Sequence, residues 1–525
     1  MRGRAARSAE PGPPASRTQS LGRQAARGAA ATGASLAMRI SLQLVSVVIL
    51  ARLLGPSQYG LVAMVVAVVG VADTVRDFGL SSAAIQAPQL SQAQRSNLFW
   101  VNAGIGLALA ALVFALASPI ASFYHEPRLV GITRVLATMF LLDGAMTQYR
   151  ASLLRAMRFR VIAFADALAP MVALVGAIVL ALLGAGYWAL VSQQIVSSVV
   201  ALVVVVAAGR WIPGRWRRGE PMRPFFAFGG HLLGSQIIGY IANNADSLTI
   251  GRRFGAAPLG TYNRAFQLLM NPLNQVRSPS TTVALPVLSR AGGGREFDRI
   301  VTRGQLVLAY PLAVALALVV GTARPLVAVL LGPQWAGVPP ILRLLAAAGL
   351  LQTLAFVGYW VYLSQGLTRE LMKFTLVTSA IKVACVVGGS AWGVVGVAWG
   401  YAVSHAVEWP ISLWWLSRIT HVPARDLATG ALRSIGIAAV VATSAFAGTE
   451  AAAAASPVVN LLAGLAAGLA AAGVLLLVPR VRGDVRDVLH AVRAAVAQRP
   501  AEVSPVAAAE SPTALPAPPL PRTGA

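Results

Sequence analysis

Residues 51–60 read ARLLGPSQYG, and residues 251–260 read GRRFGAAPLG. Three positions carry the same residue in both stretches: Arg52 and Arg252, Gly55 and Gly255, and Gly60 and Gly260. Each stretch ends one apolar run and opens the next, so each is predicted to be the turn between the first two helices of a repeated unit. The helix dipole stabilises an arginine at a helix C-terminus, and a glycine just beyond it suits a C-terminal cap. We therefore interpret these six residues as structural and expect them where two repeats meet.

A second pair of stretches supports the repeat. PIASFYHEPRLVGITRVLA, which begins at Pro119, resembles PLVAVLLGPQWAGVPPILRLLA, which begins at Pro325. The alignment matches Arg134 with Arg343 after a three-residue insertion. Two pairs of stretches in the same order indicate an internal duplication.

Composition places the chain in a membrane. Hydrophobic residues make up 57% of the 525 residues and charged residues only 12%, with a mean hydropathy of +0.68, whereas a soluble chain carries about 25% charged residues. Long apolar runs indicate helices rather than a barrel. We interpret the net charge of +25 as a topology signal and expect no nucleic-acid partner. The single Cys385 excludes an internal disulfide and a cysteine metal cluster, and we expect no metal and no cofactor.

The apolar segments predict an all-α integral membrane protein with about fourteen transmembrane helices. Helices 1–6 and 7–12 form two repeats, which are parallel because each has an even number of helices, and two more helices follow. The predicted regions are a disordered basic tail 1–30, an N-terminal six-helix lobe 31–209, a basic linker 210–225, a C-terminal six-helix lobe 226–417, the last two helices 430–479, and a disordered Pro/Ala-rich tail 480–525.

Arginine and lysine predict the orientation. If the N-terminus is cytosolic, thirty-three of them lie in the tails and cytosolic turns, one of which is the turn 277–303, and six lie on the opposite side. This excess favours both termini in the cytosol, since positive residues remain on the cytoplasmic side of a membrane. It also places the turns around Arg52 and Arg252 on the outer side.

Five stretches resemble a known family: ARLLGPSQYGLVAM, DFGLSSAAIQ from Asp77, NADSLTIGRRFGAAPLGTYNRAFQLL from Asn244, GPQWAGVPPILRLLA from Gly332 and WGVVGVAWGYAVSHAVEWP from Trp392. Together they are similar to the polysaccharide transporter family, which includes the Wzx-type flippases and belongs to the multidrug/oligosaccharidyl-lipid/polysaccharide exporter superfamily. The resemblance spans roughly residues 32–420.

That resemblance implies two six-helix bundles around a central cavity, alternating access, and transfer of a polyprenyl-diphosphate-linked oligosaccharide across the cytoplasmic membrane. In some relatives the last two helices form a groove for the lipid tail. The implied partners are the lipid-linked oligosaccharide, the bilayer, and the polysaccharide polymerase and glycosyltransferases of the same pathway.

Polar and ionisable residues inside apolar spans are costly and are functional candidates. A diphosphate needs cations and a glycan needs hydrogen-bonding groups, so the substrate-binding candidates are Arg39, Asn243, Asn244 and Arg264. The ion-coupling candidates are Asp246, His405 and Glu408. Each has a structural alternative: Arg39 can reach the membrane surface, Asp246 can pair with Arg264, and His405 with Glu408 can brace a kink at Trp409-Pro410. Lys382 lies mid-span with no evident partner, and Asp143 and Asp166 are expected to pair with the basic turn 150–160.

No catalytic motif stands out. HExxH, a GxGxxG after a strand and the P-loop GxxxxGK[ST] are missing, which argues against an enzyme and an intrinsic ATPase. The alternatives to a flippase are an ion-coupled small-molecule or drug antiporter of the same superfamily, a membrane glycan polymerase or ligase, and a scaffold that transports nothing. Short outer turns count against the polymerase or ligase.

Overall fold

The computed structural model describes residues 43–77, 90–217 and 239–497, together with residues 84 and 237. These residues are mostly helical and include no strand. The helices are α1 (Gln43–Leu53), α2 (Pro56–Asp77), α3 (Gln92–Ala115), α4 (Ala117–Tyr124), α5 (Leu129–Arg155), α6 (Phe159–Leu182), α7 (Tyr187–Gly209), α8 (Ala245–Phe254), α9 (Ala256–Ala291), α10 (Gly294–Leu330), α11 (Val338–Ser364), α12 (Thr368–Gly389), α13 (Gly393–Ile419), α14 (Ala424–Ala451), α15 (Pro457–Leu475) and α16 (Pro479–Ala497). Residues 37–488 form one compact unit, which contains every contact discussed below.

Ten segments of the described chain are long and apolar enough to cross a membrane. One of them, 368–419, contains both α12 and α13. The described part of α1 is apolar but shorter. The all-helical membrane class is therefore confirmed, whereas the number of fourteen helices and the division into two six-helix lobes stay predictions.

The two long helices α9 and α10 correct the sequence prediction. α9 contains Pro272, Pro279 and Pro286 yet has 36 residues, and α10 has 37 residues and continues past Pro325. At 1.5 Å per residue each is roughly 55 Å long, well beyond the ~30 Å hydrocarbon layer. The predicted cytosolic turn at 277–303 is therefore mostly helix, since neighbouring helices can satisfy the backbone groups that proline frees. Arg277, assigned to that turn, lies inside α9.

The two repeated stretches form the α1–α2 and α8–α9 turns. Gly255 has a φ of +87°, and its N–H donates to the carbonyl of Gly251 at 3.2 Å. Gly55 is not among the glycines with positive φ. The expected glycine cap therefore forms at Gly255, whereas Gly55 lacks the positive φ of such a cap; both glycines lie between the predicted pair of helices.

Gly60 and Gly260 lie where α2 and α9 cross. A Cβ atom on Gly60 would come within 1.7 Å of the carbonyl oxygen of Ala256, and one on Gly260 within 1.8 Å of the carbonyl oxygen of Pro56. Only glycine permits this mutual backbone contact. The first turns of two equivalent helices therefore meet directly, one from each repeat.

α14, α15 and α10 pack through small residues. A Cβ atom on Gly464 would come 2.4 Å from the Thr449 side chain and 2.8 Å from the Thr322 side chain. Close approach of backbones at glycine is a usual source of helix association in membranes. None of the cavities described below is lined by α14 or α15.

α16 corrects the prediction of a disordered tail from residue 480. Asp484 accepts a hydrogen bond from the Tyr310 hydroxyl at 2.5 Å and pairs with Arg433 at 3.3 Å. These contacts attach the amphipathic residues after 479 to α10 and α14 as a helix. Residues 498–525, the predicted tail 1–30 and residues 218–225 of the predicted linker lie outside the described residues.

Candidate functional site

A polar cavity lies between α1, α2, α6 and α7 on one side and α8 and α9 on the other. We call it the central cavity. It has two adjoining parts of about 320 Å³ each, which share Tyr59, Leu190, Gln193, Arg264 and Gln267. Most of its polar lining is neutral: Gln43, Ser46, Gln193, Gln194, Asn244, Ser247, Asn263 and Gln267. Helices from both predicted repeats therefore build one site rich in amides.

Arg264 is the buried cation of the central cavity. Its side chain is only 6% exposed, and its guanidinium lies 3.6 Å above the ring of Tyr59. The Nε atom has no hydrogen-bond partner among the described residues, and no described carboxylate forms an ion pair with Arg264. A buried charge without a counter-ion is costly. Arg264 can therefore interact with an anionic ligand in the cavity, and its role in substrate binding stays a prediction.

Asp246 is bonded elsewhere. The residue is 2% exposed; its carboxylate accepts a hydrogen bond from the Tyr262 hydroxyl at 2.7 Å and another from the Ser247 backbone N–H at 2.7 Å. The alternative in which Asp246 pairs with Arg264 is wrong in this structure. Tyr262 of α9 contacts the Asp246 carboxylate, whereas Arg264 of the same helix lies over the Tyr59 ring.

A helix break separates Asn243 from Asn244. Residues 239–243 are helical, Asn244 is a turn residue, and α8 starts at Ala245. Asn244 lines the central cavity, whereas Asn243 lines a second cavity. The sequence selected both amides, and the structure assigns them to neighbouring cavities. Arg39, the remaining substrate-binding candidate, lies outside the described residues.

The second cavity, of about 320 Å³, lies among α9, α11, α12 and α13, and we call it the C-terminal pocket. Arg277 is only 3% exposed and donates from Nη2 to Asn274 and to Gln352, each at 2.8 Å. Lys382 donates from Nζ to the side-chain oxygen of Asn243 at 3.0 Å. Sequence reasoning missed Arg277 because it assigned this residue to the cytosolic turn 277–303, and it left Lys382 without a partner.

His405 and Glu408 also line the C-terminal pocket. Nδ1 of His405 lies 2.6 Å from Oε2 of Glu408, and the buried Nε2 atom has no partner among the described residues. The i, i+3 spacing on α13 placed them on one helix face, and the structure brings them into contact. α13 continues through Pro410 to Ile419, so the pair also lies one turn before a helix-internal proline. Their role in ion coupling stays a prediction.

Two acids near the predicted cytosolic ends have separate partners. Arg150 forms two parallel hydrogen bonds with Asp166, each 2.8 Å long. Asp143 instead lies 3.7 Å from Arg76 on α2. The expected pairing with the turn 150–160 therefore holds for Asp166, whose pair borders the central cavity, and is wrong for Asp143.

Residues 49–340 match the family described as polysaccharide biosynthesis protein, which is more than half of the chain. The chain belongs to this family. It is 26% identical over 380 residues to the lipopolysaccharide biosynthesis protein WzxC of Escherichia coli, which covers 70% of this chain and 76% of WzxC. It is 28% identical to the teichuronic acid biosynthesis protein TuaB of Bacillus subtilis, over 66% of this chain and 73% of TuaB. It is 29% identical to the succinoglycan biosynthesis transport protein ExoT of Rhizobium meliloti, over 62% of this chain and 66% of ExoT.

Solved structures show the fold of this polysaccharide biosynthesis protein. The lipid II flippase MurJ in an inward closed conformation superposes with a TM-score of 0.66 at 14% identity, over 85% of this chain and 98% of MurJ. An inward-facing multidrug resistance MATE family transporter of the MOP superfamily gives a TM-score of 0.56 at 16% identity, over 75% and 99% of the two chains. The fold is that of the MOP-superfamily transporters.

In this family member the arginines of the repeated turns bind across the molecule. Arg52 donates from Nε to the carbonyl of Leu330 at 3.3 Å and also donates to the carbonyl of Val329, at the end of α10. Arg252 donates to Nδ1 of His125, just after α4, at 2.6 Å. The interpretation of each arginine as stabilising its own helix end is therefore incomplete, because each contacts the end of a helix from the other repeat.

Further contacts lie at the same end of the molecule. The Trp335 indole N–H donates to the carbonyl of Ala51 at 2.8 Å. Glu126, next to His125, accepts hydrogen bonds from Arg128 Nε at 2.7 Å and from Nη2 at 2.8 Å, and these bonds lower the pKa of the Glu126 carboxyl. Together with Arg52, Arg252, Gly60 and Gly260, we call this assembly the repeat-turn contact. It adjoins the central cavity, which is lined by Leu50 and Tyr59, and the charge pattern predicts that this end of the molecule is outside.

Proposed function

We propose that this protein moves a polyprenyl-diphosphate-linked oligosaccharide across the cytoplasmic membrane by alternating access, for cell-surface polysaccharide biosynthesis. The observation that carries the proposal is Arg264, a buried guanidinium with no carboxylate partner among the described residues, in a cavity shared by both predicted repeats. Such a group binds phosphate oxygens through charge-assisted hydrogen bonds. The amides around it can bond to sugar hydroxyls, which suits the polar head group of a lipid-linked glycan.

The relatives support this substrate class. WzxC, TuaB and ExoT are named for lipopolysaccharide, teichuronic acid and succinoglycan biosynthesis, and MurJ is a lipid II flippase. Polysaccharides and lipid II both contain sugars, and the amides that line the cavity can form hydrogen bonds with the hydroxyl groups of either. In the proposed pathway, membrane glycosyltransferases supply the lipid-linked oligosaccharide and a polymerase consumes it on the outer side.

The repeat-turn contact supports the direction. It closes the end of the molecule that bears Arg52 and Arg252, and the C-terminal pocket lies toward the opposite ends, with Tyr362 near the end of α11 and Leu371 near the start of α12. With both termini in the cytosol, this state receives substrate from the cytosolic side. Opening of the repeat-turn contact then releases the head group outward. We further propose that Asp246 or the His405–Glu408 pair couples this cycle to an ion.

The test is translocation by purified protein in vesicles, measured as exposure of a labelled undecaprenyl-diphosphate oligosaccharide to a membrane-impermeant probe. Arg264→Gln keeps the length and polarity of the side chain and removes its charge. We expect at least a tenfold loss, because a hydrogen bond to a charged group contributes about 1.5–3 kcal/mol and about 1.4 kcal/mol is tenfold.

The matched control is Arg134→Gln, an exposed arginine that lies over the Phe114 ring at 5.1 Å and lines neither cavity. It is expected to keep wild-type translocation. An equal loss of translocation in both variants would show that Arg264 does not contact the substrate. Transport of a lipophilic cation under an ion gradient, without movement of the lipid-linked glycan, would replace the flippase with an antiporter.

A further inference from the structure

An apolar groove of about 680 Å³ lies on the surface of the bundle beside the C-terminal pocket. One wall is formed by Ile241 and Ala242, just before the break at Asn244. The other wall is one face of α12: Leu376, Ser379, Ala380, Val383, Ala384 and Val387. Large apolar side chains on both walls, such as Ile241 at 45% exposed and Leu376 at 46% exposed, remain uncovered. On the surface of a membrane protein, such a groove is open to hydrocarbon chains.

The groove and the C-terminal pocket adjoin each other. Ser379 lines both of them. On α12, Val383 faces the groove and its neighbour Lys382 faces the pocket; on the opposite wall, Ala242 faces the groove and Asn243 faces the pocket. The hydrogen bond of 3.0 Å between Lys382 and Asn243 therefore marks the boundary between apolar and polar surface.

The polar side of this boundary favours anions. Lys382 and Arg277 both line the pocket, and the Nε atom of Arg277 has no partner among the described residues. Glu408 is the carboxylate among the lining residues, and it is bonded to His405 at 2.6 Å. The pocket therefore has two cations and one carboxylate, which is already paired. An anionic group that binds here is attracted by the two cations more strongly than it is repelled by the carboxylate.

We propose that the groove holds the polyprenyl chain of the substrate while Lys382 and Arg277 bind the diphosphate at its end. This assignment rests on the proposed function and adds an initial docking position, which the diphosphate occupies before it reaches Arg264 in the central cavity. In a polyprenyl diphosphate a long hydrocarbon chain is bonded directly to an anionic group. The protein presents the matching surfaces in the same order, with the apolar groove at Val383 and the cationic pocket at Lys382. The amides of the central cavity lie one residue further, at Asn244, where the attached glycan begins. The groove between residues 241–242 and α12 thus differs from the last two helices, which the family resemblance suggested for the tail.

The experiment measures binding to the full-length protein in phosphatidylcholine nanodiscs. The two probes are undecaprenyl diphosphate and geranyl diphosphate, which share a head group, differ in chain length and carry no glycan. The wild type is expected to bind the undecaprenyl compound at least about tenfold more tightly. Ala384→Trp fills the groove, so it is expected to bring the two affinities within about twofold while geranyl diphosphate still binds as in the wild type, which also shows that the variant is folded.

The control is Val377→Trp, on the same helix and 41% exposed but not lining the groove; it is expected to keep the wild-type preference. Lys382→Gln is expected to weaken both probes about equally, by roughly tenfold. The proposal is overturned if Ala384→Trp retains the chain-length preference, or if Val377→Trp loses it as strongly. Displacement of undecaprenyl diphosphate by excess phosphatidylglycerol would also overturn it, because the groove would then belong to bulk lipid.

This result is separable from the proposed function. If binding depends on chain length but no translocation is measured, the docking position is supported and the proposed transport is rejected. Translocation with no effect of Ala384→Trp on chain preference would keep transport and reject the groove.

Discussion

The buried ionisable side chains of this protein have different kinds of partner. Arg277 is bonded to two amide oxygens, Arg264 lies on an aromatic ring, and Asp246 is bonded to a tyrosine hydroxyl. Charged groups inside a membrane need protein or water partners. Contacts with neutral groups stabilise these side chains without neutralising their charge. Arg264 and Arg277 can therefore still attract an anionic head group.

Tyr262 is predicted to stabilise the fold through Asp246. Tyr262→Phe removes the hydroxyl that donates to the carboxylate at 2.7 Å and leaves a buried acceptor unpaired. Such a loss costs about 1–3 kcal/mol. The expected result is a lower midpoint of thermal unfolding in detergent, with little change in substrate binding per folded molecule.

Tyr362→Phe is the matched control for this measurement. Tyr362 is equally buried, but its hydroxyl has no partner among the described residues, so its loss is expected to leave the midpoint unchanged. Equal midpoints for the two variants would show that the Tyr262–Asp246 bond contributes nothing to stability.

At the scale of helices, the crossing of α2 and α9 decides how the two repeats meet. Their first turns touch through backbone atoms at Gly60 and Gly260. A contact between backbones is stiff, because no side chain can rotate out of the way. The two repeats can move apart at this crossing, but they cannot come back into contact if a residue larger than glycine replaces Gly60 or Gly260.

Gly60→Leu is predicted to hold the repeat-turn contact open. The added side chain collides with the backbone of Ala256, so the central cavity is exposed toward the repeated turns. In a background with Cys385→Ala and Ser46→Cys, labelling of residue 46 by an impermeant maleimide from that side is expected to rise several-fold. Translocation is expected to fall because the closed state is lost.

Gly104→Leu serves as the control, since a Cβ atom at Gly104 on α3 meets nothing within 4 Å. It is expected to leave both labelling and translocation at the Cys-background level. Unchanged labelling in Gly60→Leu would mean that α2 and α9 adjust without opening, contrary to the prediction.

At the scale of the whole molecule, the two repeats close one end by exchanging arginines. Arg52 binds the end of α10, and Arg252 binds the residue after α4. The stretches that begin at Pro119 and Pro325 contain those two ends, so each repeat supplies an arginine to the equivalent position of the other. The exchange ties the helix ends of both repeats together in the closed state.

Arg52→Gln and Arg252→Gln are each predicted to favour the state open at the repeated turns. Each removes cross-repeat hydrogen bonds from the closed state only, so labelling of Ser46→Cys from that side is expected to rise about two- to tenfold, and further in the double variant. Arg324→Gln is the control, since Arg324 is 71% exposed and lies 3.9 Å from Glu450. An equal rise in Arg324→Gln would assign the effect to lost surface charge instead of the exchanged contacts.

The sequence predicted the features that rest on local chemistry. Apolar runs predicted membrane helices, the repeated stretches predicted the α1–α2 and α8–α9 turns, and a charge inside a span identified Arg264. The spacing of His405 and Glu408 predicted their contact. Each of these depends on helix periodicity or on the cost of charge in hydrocarbon, which are readable along the chain.

Only the tertiary structure decided which groups those residues meet. Arg277 was predicted to lie in a cytosolic turn, but α9 continues through Pro279 and Pro286, and its packing against neighbouring helices brings Arg277 into the C-terminal pocket. Lys382 is hydrogen-bonded to Asn243, 139 residues away in the sequence, and Arg52 to Leu330 at the end of α10, 278 residues away. Local rules fix where helices lie along the chain, whereas the partners of a buried charge depend on how those helices cross, which is set by the packing of the whole bundle.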